Sequence, residues 1–316
     1  MSDENRTSPR SFANKEHHYS DNLDAASVAD SFKTEQELYD HHAKITRDVS
    51  TTATPYRPFP PVMKAFYQWN LSLVKVFYLC GPGGEDDRLF AVEQHTGYSL
   101  SGPLGIRPGM ILYDGISTKD RILAASGDES QMGCRAYTFN PNSIVLLPPR
   151  VPGSKFMVRE MMHARGTGNG VAFQFSLDVG LSEEKKRRET FEWRKIMKAE
   201  KDEEAKQGGF KLLRVSSSSS KGNSSRAVLS SASLATTTTA TTESGSEIFA
   251  LFAWTKTISN LKHPFTLELK VDGMAVGLGE TWTLAVVVTA TRLWMLHMYG
   301  KTNRPVVAVS DKLRGK

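Results

Sequence analysis

From about Leu71 onward, short apolar or alternating runs are separated by Gly, Pro, Asn and Asp. The runs are Leu71–Cys80, Arg88–Glu93, Met110–Tyr113, Arg121–Ala125, Gly133–Phe139 and Ser143–Leu147. They continue with Phe156–Met162, Val171–Asp178, Glu189–Lys195, Phe210–Val215, Ile248–Thr255 and Phe265–Val271. Several alternate strictly: Phe173, Phe175 and Leu177 share one side, Gln174, Ser176 and Asp178 the other. A period of two puts one face on a core and the other in water. About twelve such runs, with no helical period between most of them, predict an antiparallel β-barrel or sandwich.

Two stretches break the rhythm. Residues 216–246 contain 18 Ser or Thr among 31 positions, which predicts a low-complexity, disordered insertion between two strands. The second is Thr281–Tyr299, preceded by Glu280 and followed by Gly300, the one long continuous apolar segment. Over 280–299 it predicts a helix of about 30 Å at ~1.5 Å per residue, with Glu280 suited to its N-terminus and Gly300 to its C-terminal cap. Trp282, Leu284, Val286, Val287, Val288, Leu293, Trp294, Leu296 and Met298 make it apolar on every side. Such a helix is either enclosed by protein or immersed in a bilayer. Arg292 lies well inside the segment, and an arginine at that depth costs at least ~2.5 kcal/mol on insertion scales. A strand-like Val306–Val309 follows, and the preceding strands need an interior. Enclosure is therefore the expectation, and membrane insertion is not.

Residues 1–55 are polar and carry ten acids against six bases, which predicts a disordered acidic arm of charge −4. A short helix near Thr34–Ile45 fits within it, with Thr34 as N-cap and Glu37 in capping-box register. Thr54–Pro61, with four prolines, reads as a stiff lead-in to a folded domain over 56–316. The whole chain is +6, so everything after residue 55 is +10. A basic body favours anionic partners such as phospholipid head groups, nucleic acid or acidic proteins. By charge alone, Lys185, Lys186, Arg187 and Arg188 are the candidate anionic-lipid-binding residues.

The order of several stretches resembles the tubby C-terminal-like group, which includes tubby domains, phospholipid scramblases and LURP-one-related proteins, and within it uncharacterised fungal members. The matching stretches are Leu89–Val92 with Gly97, Ser101–Gly105, Met110–Gly115, Glu189–Arg194, Gly209–Val215, Ile248–Trp254, and Leu278–Trp282 through Arg292–Trp294. The resemblance implies a twelve-stranded barrel closed around one central hydrophobic C-terminal helix. It also implies a lipid-associated role, and transfers no individual binding residue.

No catalytic or metal constellation stands out. His17-His18 and His41-His42 are adjacent pairs without an accompanying Cys. Cys80 and Cys134 each lack a second zinc-spaced Cys, and a small buried residue is the expected role of either. Gly81-Pro82-Gly83-Gly84 lacks the Lys-Ser/Thr of a phosphate loop and reads as a turn, and Gly166-Thr167-Gly168-Asn169-Gly170 occupies a hairpin position. Trp193 reads as core, and Phe191, Trp193 and Arg194 offer only one aromatic-basic spot, too little for a nucleic-acid surface. No cofactor is implied. Two cysteines and a polar N-terminus without an apolar signal point to an intracellular, cytoplasmic protein, with peripheral membrane or nuclear placement as variants. The expected function is a non-enzymatic barrel that binds anionic phospholipid or phosphoinositide surfaces. The alternatives are a protein-interaction scaffold regulated through the disordered segments, and a single-span protein of scramblase type.

Overall fold

The computed structural model describes residues 49–68, 75–98, 102–129, 140–149, 156–168, 170–181, 186–196, 206–215, 247–255, 262–270 and 277–314. They belong to one compact unit spanning His41–Lys316. The strands are β1 (Val62–Tyr67), β2 (Lys75–Cys80), β3 (Arg88–His95), β4 (Gly109–Tyr113), β5 (Ile122–Asp128) and β6 (Ser143–Leu147). They continue with β7 (Val158–Gly166), β8 (Val171–Val179), β9 (Arg187–Lys195), β10 (Gly209–Arg214), β11 (Ile248–Trp254) and β12 (Phe265–Leu269). Each pairs antiparallel with its neighbours in sequence, and β1 pairs with β12 through Val62–Glu268, Met63–Leu267 and Lys64–Thr266, so the sheet closes into a barrel. Closure removes the free edges that would otherwise pair with other chains.

Alternation sorts side chains as the sequence predicts. Phe173, Phe175 and Leu177 of β8, with Phe191 and Trp193 of β9, turn inward, while Gln174, Ser176 and Asp178 are only half-buried. The interior is filled by α1 (Glu280–Met298), on which every residue from Leu284 to Leu293 is buried. A helix lying on a surface exposes one side in every turn of 3.6 residues. Ten buried residues in succession require protein on all sides. Trp282 packs between Phe191 and Phe249, with ring centroids 5.9 and 6.1 Å away. Trp193 donates from Nε1 to Thr289 Oγ1 at 3.0 Å, and that hydroxyl donates to the Ala285 carbonyl at 2.7 Å. Arg292, the one charge in mid-helix, ion-pairs with Asp128 of β5 and donates to Ser143 Oγ of β6 at 2.8 Å. Lys301 reaches the same Asp128 at 3.2 Å. A buried cation is tolerable when it is paired and hydrogen-bonded. Among the described residues no helix is long and apolar enough to cross a membrane.

The helix ends where glycine permits. Gly300 has φ +70°, its N–H bonds to the His297 carbonyl, and the Lys301 N–H reaches back to Leu296 O. These two bonds form the Schellman pattern, which satisfies carbonyls the helix would otherwise leave orphaned.

Three sequence expectations change. The expected strand Val306–Val309 is instead part of a second helix, α2 (Arg304–Arg314), packed against β7. Pro305 pre-sets a helical φ near the start of the turn. Val307 and Ser310 are buried while Ala308 and Val309 are exposed, so the burial period is helical rather than two. β1 was not anticipated: Met63 and Ala65 face the core, but VMKAFY has few β-branched residues and follows a proline-rich lead-in. The expected arm also ends earlier than residue 55, because Val49 bridges Ile122 and the Ser50 N–H bonds to the Ile122 carbonyl at 2.7 Å. The expected strand Gly133–Phe139, the helix Thr34–Ile45 and the insertion 216–246 lie outside the described residues.

Candidate anion-binding face

Strands β7, β8, β9 and β10 carry five arginines arranged over four carboxylates. On β9, Glu192 points outward, yet its side chain is wholly buried because Arg165 of β7 and Arg194 of β9 both pair with it. Nearer the α1 N-terminal end, Arg188 of β9 makes a two-pronged contact with Glu160 of β7 at 2.5 and 2.6 Å, and approaches Asp178 of β8 at 3.6 Å. At the barrel mouth, Glu189 is shared by Arg187 and by Arg214 of β10, the latter at 2.6 Å.

The layering has one sense throughout. The arginine side chains are 32–58% exposed and their carboxylate partners only 0–24%. Net charge over the group is small, but the cations form the outer layer. A guanidinium has five N–H donors in a fixed fork. An arginine that uses one or two of them on a carboxylate beneath it retains others for a ligand above. The Glu160 hydrogen bond raises the Arg188 pKa further, so the layer holds its charge at any physiological pH.

Strand geometry divides the run read as one patch. Arg188 faces outward with Glu192 and Arg194, whereas Arg187 turns toward the mouth with Glu189. Lys186 lines a cleft of about 710 Å³ at that mouth, and Lys185 lies outside the described residues. The β6–β7 side of this cleft supplies Leu147 and Val158, the β8–β9 side Leu177 and Leu181, and the start of α1 supplies Glu280. Arg165 and Arg214 carry no signal in the sequence, and Arg194 stands out there only as part of one aromatic-basic spot, because cross-strand pairing rather than adjacency brings them to the group. The alternation of β9 was the available signal, since it sets Arg194 on the same side as Arg188.

The opposite mouth is also basic, but its cations have an internal explanation. Lys301 sits on Asp128, and Lys195 donates to the Thr302 carbonyl at 3.3 Å. His297 stacks on Trp254 at 4.2 Å. All three surround the C-terminus of α1, where the helix dipole favours the positive charge of the two lysines. Burial lowers the pKa of each.

Other sequence candidates have structural roles. Trp193 is wholly buried. Cys80 is buried, and burial pushes its thiol pKa up to about 11, which makes it a poor nucleophile near neutrality. Gly81–Gly84 turns the chain from β2 to β3, leading into a single 3-10 turn, Gly84–Asp86, whose Glu85 and Asp86 repel phosphate. Gly166–Gly170 joins β7 to β8. Among the described residues no group of three or more His, Cys, Asp or Glu side chains is placed to hold a metal ion. No protein-family model, curated protein or solved structure matches this chain.

Proposed function

We propose that this chain is a non-enzymatic barrel that binds anionic phospholipid surfaces, phosphoinositides included, through the arginine layer of β7–β10. The observation that carries the reading is the vertical order of charge, guanidinium outside and carboxylate beneath. Two features support it. The barrel interior is occupied by α1, so a ligand meets the outer face or a mouth. The chain after residue 55 is +10, and its stretches resemble those of lipid-associated barrels.

Vesicle sedimentation tests the reading. The full chain should pellet with phosphatidylcholine vesicles containing phosphatidylserine or a phosphoinositide, should not pellet with phosphatidylcholine alone, and should be released by salt. The triple change Arg187→Gln, Glu189→Gln, Arg214→Gln, at the α1 N-terminal mouth, removes one net positive charge without leaving a buried carboxylate alone. It should weaken binding about fivefold, from roughly 1 kcal/mol per basic charge at an anionic surface. Equal pelleting with both vesicle types, or none with either, would overturn the reading.

A further inference from the structure

Two large apolar side chains stand in water at the mouth where Lys186, Arg187 and Arg188 lie. Leu181 is 80% exposed and Phe156 is 59% exposed. Leu181 lines the β8–β9 side of the mouth cleft, and Phe156 belongs to the same mouth, two residues before Val158, which lines the β6–β7 side. Single exposed apolar residues are ordinary on protein surfaces. Here two face water at the same rim, beside arginines that are about half exposed and, on β7, an exposed Arg159.

Resting on the membrane reading, we infer that Leu181 and Phe156 enter the interfacial layer of an anionic bilayer, while Arg187, Arg188 and Lys186 hold phosphates at head-group level. The chemistry fits one occupant. A soluble polyanion would engage the cations and leave Leu181 and Phe156 in water. A bilayer offers phosphate and hydrocarbon within a few ångströms of each other, which suits apolar tips flanked by basic side chains. The arrangement sets an orientation, with the α1 N-terminal mouth toward the membrane and the opposite mouth away from it.

Charge-matched variants of the full chain test this against phosphatidylcholine–phosphatidylserine vesicles. Leu181→Glu and Phe156→Glu each remove an apolar tip and add one negative charge. Met298→Glu adds the same charge at the other mouth, where Met298 is 61% exposed. Leu181, Phe156 and Met298 are 80, 59 and 61% exposed, and a thermal melt of each variant separates a loss of folding from a loss of binding. Each of the first two should weaken pelleting about tenfold, the scale of losing one buried aliphatic or aromatic side chain, and Met298→Glu should do so far less. Equal weakening by all three would show that net charge alone is responsible and overturn the insertion. Unchanged binding by the first two would do the same. Failure of the unaltered chain to pellet at all would instead overturn the underlying membrane reading.

Discussion

Asp128 lies between two buried cations, Arg292 of the central helix and Lys301 just beyond it. It pairs with both, and it connects the wall to the contents of the barrel. Removing it takes the paired carboxylate from Arg292 in a low-dielectric interior. Asp128→Ala should therefore cost about 3–5 kcal/mol in denaturant unfolding, the usual penalty for breaking one side of a buried pair. A loss under about 1 kcal/mol would mean that water reaches the site and screens it. From sequence, Arg292 was legible as a charge too deep for a bilayer. Its partner, 164 positions earlier, was not, because nothing local marks which acid turns inward at a strand end.

Elements were legible where one period ruled their whole length. The central helix was read to within one residue at its end, because all-round apolarity and a terminal glycine are both local signals. The second helix was mistaken for a strand because Val306-Val307-Ala308-Val309 has no polar alternation to reveal a period, and only its neighbours Pro305 and Ser310 fix the register. The arginine layer was half visible: the run at 185–188 was found, while the cross-strand partners that turn it into a surface depend on register. The C-terminal end of α1 also predicts an acid response. Burial, then Lys195, lowers the His297 pKa below 6.5, so the imidazole is held neutral in the fold. Below pH 6.5 the unfolded chain takes up a proton before the folded one does, and stability falls as pH drops through that window. His297→Phe keeps a ring against Trp254 but cannot titrate. Between neutrality and about pH 5.5 it should lose less unfolding free energy than the unaltered chain; parallel losses would show that His297 is not responsible.

At the scale of the molecule, the strand count and the enclosed helix were both expected, yet the expectation left out the strand that closes the ring. β1 and β12 meet across about two hundred residues of chain, and no short-range pattern records that pairing. Closure and filling depend on each other, because the inward rings of Phe191, Phe249, Phe252 and Phe265 meet the side chains of α1, of one another or of adjoining strands. A chain ending at Gly277 keeps every strand but lacks both helices. It should give no cooperative melt, bind a hydrophobic dye and sediment as an aggregate. A sharp monomeric transition would show that the wall is stable without its filling.

The order of elements has a further consequence during synthesis. All twelve strands leave the ribosome before the helix that their aromatic faces require. From Tyr67 to Met298 the interval is roughly 10–50 s at about 5–20 residues per second. Throughout it the nascent wall lacks the helix that fills its inner surface, and until β12 has emerged its terminal strands cannot pair. Closure of the barrel around its filling therefore waits until the chain through Met298 has been made. Ribosome-bound chains should be rich in holding chaperones, which leave only after the segment through Met298 has been made.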